Sequence, residues 1–227
     1  MHVPDGFIDA PVSLAAGVVA AAGIAHCIKK GSQSLDDKQV PMAGMVAAFI
    51  FAVQMLNFPV VSGTSGHLLG GCLAAILVGP YLGALAVSVV LLVQALLFAD
   101  GGLSALGVNV ILMAIVPAFI GYALFRMARQ VLPKQRSGVI AASGVAAFTS
   151  VVAASVVFSF FYLLGGEGSA STGTVMAAMV GVHTLIGIGE GIITALTVGA
   201  VLAVRPDLVY GARDLRPELE LHPVGVA

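Results

Sequence analysis

Long apolar runs separated by short polar or glycine- and proline-rich breaks dominate this chain. Strong breaks fall at residues 29–39, 126–137 and 165–173 and from 205 onward. Weaker ones are 59–66, the Gly79-Pro80 dipeptide and Asp100-Gly101-Gly102. They delimit seven apolar segments, at about residues 10–28, 40–58, 67–78, 81–98, 104–125, 138–164 and 174–204. A membrane span needs roughly 20 mainly apolar residues. The third segment is therefore too short to stand upright unless residues 61–66 fold back into the bilayer with it. Runs this continuous are expected to be helical, because lipid offers backbone groups no other partner. The pattern predicts an all-α integral membrane protein, a bundle of about seven transmembrane helices. Residues 1–204 form one polytopic domain, and residues 205–227 read as a solvated tail.

Composition agrees. Of 227 residues, 59% are hydrophobic and only 9% charged, with 28 glycines besides. Soluble domains carry about 25% charged residues, and a chain this size cannot bury so much apolar surface in water. The net charge of −1 leaves no basic surface for nucleic acid. Cys27 and Cys72 lie singly in apolar runs, which argues against a disulfide framework or a thiolate metal site.

The ten Lys and Arg residues set the expected orientation. With seven spans, Lys29, Lys30, Lys38, Arg126, Arg129, Lys134, Arg136, Arg205, Arg213 and Arg216 all fall on one side. By the positive-inside rule that side is the cytoplasm, so the N-terminus is expected outside and the C-terminus inside. The opposite side holds Asp5, Asp9, Asp100 and Glu167. Pro4-Asp5-Gly6 stands where a secretory signal would carry its basic region, so no such signal is read here.

Several polar residues lie inside apolar segments: Gln54, Asn57, His67, Gln94, Asn109, His183 and Glu190. Such groups face a bundle interior and mark a substrate path, or they make interhelical hydrogen bonds. All but Glu190 map to the expected outer half, which suggests a polar pocket open to the outside. His183 and Glu190 are two helical turns apart and share a face. They could form a proton relay, a ligand pair or a structural pair.

The most specific chemistry sits at Met1-His2. The terminal amine, the His2 main-chain nitrogen and the His2 imidazole can close two fused chelate rings around one metal. That requires a deprotonated amide, and in-plane nitrogens suit Ni(II) and Cu(II). Methionine aminopeptidases act when residue two is small, so His2 is expected to keep Met1 in place. A fourth nitrogen must come from elsewhere, and His67 in its glycine-rich loop is the best placed. Otherwise His2 is merely the second residue of an exposed end.

The opening MHVPDGFIDAP, the run FAVQMLNFPVVSGTSGHLLGG at 51–71 and GVHTLIGIGEG at 181–191 resemble the CbiM/NikM family. These are substrate-binding S components of energy-coupling-factor importers for cobalt and nickel. The resemblance implies a seven-helix bundle in a bacterial or archaeal cell membrane, with Ni(II) or Co(II) as transported substrate. It implies that Met1, His2 and His67 hold the ion. Asp5, Asn57, Ser65 and His183 are candidates to support those ligands from behind. It further implies a transmembrane coupling subunit, ATPase subunits and a separate small N-type membrane component as partners.

Span two carries Ala43/Ala47 and Gly44/Ala48, followed by Ala52. These small-residue rows permit close helix approach, and by the resemblance the Ala43/Ala47 face docks the coupling subunit. No GxxxxGK[ST] phosphate loop occurs, so the chain is expected to be no enzyme by itself. The alternative reading is a proton-coupled secondary transporter using His183 and Glu190.

Overall fold

The computed structural model describes residues 1–33, 39–59 and 65–215. Its helices are α1 (Ala10–Ser32), α2 (Gln39–Gln54), α3 (Gly71–Val78), α4 (Pro80–Leu97), α5 (Leu106–Val110), α6 (Val116–Val131), α7 (Arg136–Gly165) and α8 (Thr172–Val204). Strand β1 (Phe58–Pro59) pairs antiparallel with β2 (Ser65–Gly66) between α2 and α3. A π-helical turn, Ile111–Ile115, joins α5 to α6. Pro117 follows directly and cannot donate to the helical ladder, which accounts for the widened turn.

The helix boundaries follow local chemistry. Asp9 caps α1 by accepting the Val12 N–H at 2.8 Å, and Ser171 caps α8 by accepting the Thr174 N–H at 3.2 Å. Gly79 ends α3 and Pro80 opens α4, an arrangement that places a proline where its missing N–H costs nothing.

Among the described residues, five helical rods are long and apolar enough to cross a membrane: Ala10–Ser32, Pro80–Leu97, Leu106–Val131, Arg136–Gly165 and Thr172–Val204. The apolar α2 has 16 residues and α3 only eight. The segment expected at 67–78 is thus helical only from Gly71, and residues 67–70 are not helical. All eight residues of α3 are buried, so the bundle encloses this short helix and shields its non-helical lead-in from lipid. The segment expected at 40–58 stops being helical at Gln54. The proposed fold-back at 61–66 falls largely on residues 60–64, outside the described ones.

Two ends of opposite charge result. At one end His26 of α1 meets Tyr81 of α4, Tyr122 of α6 meets Tyr210, and Arg129 pairs with Asp214 at 2.7 Å. At the other, the Asp9 N–H donates to the Gly165 carbonyl at 2.7 Å and Glu167 N–H to Phe7 at 3.1 Å. Described Lys and Arg side chains belong to the first end, and Asp5, Asp9, Asp100 and Glu167 to the second. Apolar side chains such as Leu14, Val18, Leu185 and Leu196 cover the outer surface, as a bilayer-facing protein requires.

Helix α4 lies against α3 backbone to backbone at Gly83. A Cβ there would come within 2.7 Å of Ala75 N and 2.8 Å of the Ala74 carbonyl carbon. Because these are main-chain atoms, Gly83→Ala is expected to push the two helices apart at a cost of about 1–3 kcal/mol. A melting temperature equal to wild type for the detergent-solubilised variant would contradict this.

One expectation changes. The tail is not solvated from Arg205: 3₁₀ turns Pro206–Leu208 and Tyr210–Leu215 pack back on the bundle, with Val209 and Ala212 buried. Apolar side chains recurring in Val209, Tyr210 and Ala212 find α3 and α6 within reach, which a charge-and-proline reading overlooked. Residues 216–227, including Arg216, lie outside the described residues. On α2, Ala43 is buried within the chain's own bundle and Ala47 is half-buried. The outward small residues are Gly44, Ala48 and Ala52.

Candidate metal centre

The N-terminal segment lies inside the protein. Met1 and Val3 are wholly buried, and His2 is 4% exposed, so the terminus is no exposed end. Asn109 of α5 fixes it. The Val3 N–H donates to Asn109 Oδ1 at 2.7 Å, and Asn109 Nδ2 donates to the Val3 carbonyl at 3.1 Å. Gly102 N–H donates to the same carbonyl at 2.8 Å. With the Val3 amide committed, any chelate built inward from the terminus ends at His2.

His2 and His67 meet, with ring centroids 4.6 Å apart and planes inclined at 31°. His67 is wholly buried. Its Nδ1 lies 2.7 Å from the Leu68 carbonyl, which can only accept. Nδ1 therefore carries the proton and Nε2 the lone pair. That Nε2 is buried without a hydrogen-bond partner among the described residues. An unpaired buried acceptor costs about 1–3 kcal/mol, and an incoming cation would recover that cost.

Burial also favours neutral nitrogen at the terminus. It holds the Met1 amine well below the ordinary range for a chain-terminal ammonium, against the opposing pull of Asp100. Burial first, and the nearby terminal amine second, bring His2 down to about 3. Both groups thus offer lone pairs at neutral pH.

On the far side of His2, Nε2 lies 3.5 Å from Asp100 Oδ2. Near Nδ1, Gly101 has φ of +90°, and a Cβ on it would come within 2.9 Å of that nitrogen. Glycine tolerates this backbone angle and adds no side chain against Nδ1. The ring turns its other nitrogen toward a carboxylate, the usual support for a metal-bound imidazole. Asp100→Asn is expected to weaken nickel binding by about 10–100-fold. Calorimetry giving wild-type affinity would remove Asp100 from this role.

The other candidate residues fall in different places. Asn57 donates to Asp100 at 3.2 Å and so stands one step behind His2. Asp5 accepts from the Ser104 N–H at 2.8 Å and from its hydroxyl, tying the N-terminal segment to the 101–105 loop. The Ser104 hydroxyl, then its N–H, hold the Asp5 carboxyl below its ordinary range. The Ser65 side chain lies outside the described residues.

His183 is wholly buried, with Nδ1 on the Met179 carbonyl at 2.8 Å and Nε2 without a hydrogen-bond partner among the described residues. It is near enough to feel the charges of the Met1 amine and of His67. Glu190 turns away from any pairing with His183. Its carboxylate accepts the Leu69 N–H at 2.6 Å and the Gly70 N–H at 2.9 Å.

Asp100 and the Asn109 clamp are absent from the ligand set that the sequence suggests. Asn109 is visible there as a costly membrane amide, but its partner, 106 residues away, is not. Cys27 and Cys72 are buried free thiols, with no part in this cluster.

Comparison with known proteins gives the family and the fold. A family profile described as "Cobalt uptake substrate-specific transmembrane region" matches residues 2–208. A Haloquadratum walsbyi protein whose name assigns it provisionally to metal transport is 42% identical, covering 97% of this chain and all of that one. The fused nickel transport protein NikMN of Rhodobacter capsulatus is 32% identical, covering 94% of this chain and 65% of the relative. A crystal structure of a transition metal transporter superposes with a TM-score of 0.83 at 28% identity, covering 96% of this chain and all of the other. The family match and the fold make this a multi-pass membrane protein of the transition-metal transport class. The chain belongs to the CbiM family of cobalt and nickel transport proteins.

Proposed function

We propose that this chain is the substrate-binding subunit of an energy-coupling-factor importer and captures Ni(II) or Co(II) through four nitrogens. These are the Met1 amine, the His2 main-chain nitrogen, His2 Nδ1 and His67 Nε2. The observation that carries the reading is the burial of the terminus against His67, with the two rings 4.6 Å apart. Amine, amide and imidazole close fused rings in one plane, and His67 completes the fourth corner, a set that tetragonal nitrogen chemistry favours. Among the described residues no group of three or more His, Cys, Asp or Glu side chains could hold an ion. The Met1-His2 terminus can add an amine and a main-chain nitrogen to the two imidazoles.

Function follows from position. The acidic end, where the terminus is buried, faces outside, and the basic end faces the cytoplasm. An ion arriving from outside meets residues 1–204, the metal-binding membrane unit, and energy comes from ATPase chains joined through a coupling subunit. The name of the Rhodobacter relative joins M and N parts, which supports a small N component among this chain's partners. The coupling subunit docks on the outward row Gly44, Ala48 and Ala52, where a Cβ added at Gly44 meets nothing. Ala48→Leu is expected to reduce copurification with the coupling subunit several-fold while nickel binding to the isolated chain stays normal. Undiminished copurification would move the docking face elsewhere.

A secondary transporter would use Glu190 as a proton carrier, whereas the carboxylate here is tied to the Leu69 and Gly70 N–H groups of the lead-in to α3. The deciding experiment is nickel and cobalt uptake by vesicles holding the chain alone or with its partners. Uptake that requires ATP and the ATPase chains supports the importer. ATP-independent, gradient-driven uptake by the chain alone overturns it.

A further inference from the structure

The carboxylate of Glu190, the His67 ring and one peptide group between them form a connected line. Glu190 lies in the middle of α8 and is 2% exposed. Its Oε2 accepts the Leu69 N–H at 2.6 Å. That N–H belongs to the Leu68–Leu69 peptide unit, whose carbonyl accepts His67 Nδ1 at 2.7 Å. The peptide is planar, so a carboxylate holding its N–H end also fixes the direction of its carbonyl end. Two further bonds hold the adjoining Leu69–Gly70 peptide: Gly70 N–H to Glu190 Oε1 at 2.9 Å, and Gln54 Nε2 of α2 to the Leu69 carbonyl at 2.6 Å.

We propose that Glu190 is a positioning residue for metal capture, acting on His67 through the Leu68–Leu69 peptide. Metal-bound histidines usually donate their second ring N–H to a carboxylate or carbonyl, which fixes tautomer and orientation. Here the two devices stand in series, with the carbonyl in contact with the ring and the carboxylate behind it. The carboxylate polarises the peptide, and hydrogen bonds in a chain strengthen one another. The carbonyl becomes a better acceptor for Nδ1–H, and Nε2 a better donor to a cation. The same line explains why a carboxylate, costly at this depth, occurs at position 190: it satisfies the two N–H groups that the non-helical lead-in to α3 leaves without helical partners. This inference rests on His67 being a ligand, as proposed above.

A simple tether would also use these bonds, so the test must read the ring. The full-length chain, metal-free and ¹⁵N-labelled at histidine, is compared by NMR as wild type, Glu190→Gln, Glu190→Asp and His67→Ala. The last variant assigns the His67 signals. In wild type His67 is expected as the single Nδ1–H tautomer. In Glu190→Gln, whose amide cannot accept both N–H groups, the two tautomers are expected to mix, and nickel affinity to fall about 10–100-fold. Glu190→Asp, which keeps two acceptor oxygens, is expected to restore part of both properties and guards against a Gln variant that fails to fold. Combined with His67→Ala, Glu190→Gln is expected to weaken nickel binding no further, since coupled residues are not additive.

An unchanged tautomer and affinity in Glu190→Gln, or fully additive losses in the double variant, would overturn the proposal. Wild-type affinity in His67→Ala would instead overturn the ligand assignment, and the tautomer measurement would still judge the peptide line by itself.

Discussion

A leucine inserted between Met1 and His2 abolishes nickel and cobalt uptake, although it keeps the amine, the histidine and the apolar character of the terminus. Leucine is the right choice because a small second residue would invite removal of the methionine and restore the original register. The insertion acts twice. It adds a second amide between amine and imidazole, so the chelate plane can fill from the terminus alone and His67 loses its place. It also displaces Met1 by one residue, roughly 3.3 Å along an extended chain. Asn109 meanwhile still grips the old Val3 through both its backbone groups. Since Met1 is wholly buried, the extra length has no room within the bundle. An N-terminal tag goes further by converting the amine into a peptide nitrogen. Uptake measured in cells expressing the complete transporter checks both changes. Normal uptake by the tagged protein, with mass spectrometry confirming the intact tag, would refute a chelate through the terminal amine.

His67→Ala removes the fourth nitrogen and leaves the helices in place. Nickel affinity is expected to fall by more than the roughly 10–100-fold typical of losing a group that only supports a ligand. Stability should change little, because the substitution also removes a buried acceptor with no protein partner among the described residues. Water enters the vacated corner, and the visible spectrum of the nickel complex shifts toward a weaker ligand set. His183→Ala serves as the internal comparison. Its Nε2 is likewise buried without a hydrogen-bond partner among the described residues, but its ring hangs on α8 through the Met179 carbonyl and has no contact with the terminus comparable to the 4.6 Å ring pair. Calorimetry that ranks His183→Ala as severe as His67→Ala would place both imidazoles on the metal.

The membrane class, the helical segments and their approximate limits were legible in the sequence, because lipid permits one solution for long apolar runs. The proposed chelate at Met1 and His2 was suggested there too, since chelate-ring formation depends on covalent spacing and the Met-His start displays that spacing directly, whereas His67 was suggested by its loop and by the family resemblance. The charge asymmetry of the two ends could likewise be counted from the chain.

Other features required the tertiary structure. The sequence marks Asn109, Gln54 and Glu190 as costly polar residues in a membrane, yet a hydrogen-bond partner 106, 15 or 120 residues away leaves no local sign. Asp100 sits in a glycine-rich turn and looks like any loop carboxylate until folding brings it to His2. On α2, Ala43 and Ala48 are indistinguishable by composition. Helix rotation against α3 and α4 buries the first and exposes the second. Residues 206–215 carry little hydrophobic period of their own, and only the surface offered by α3 and α6 gives them somewhere to pack. Covalent spacing and the solvent act on the chain locally, so the sequence by itself determined the helices and displayed the spacing of the proposed chelate. Which distant groups meet depends on how those helices rotate and cross, and that was decided by the packing of the whole bundle.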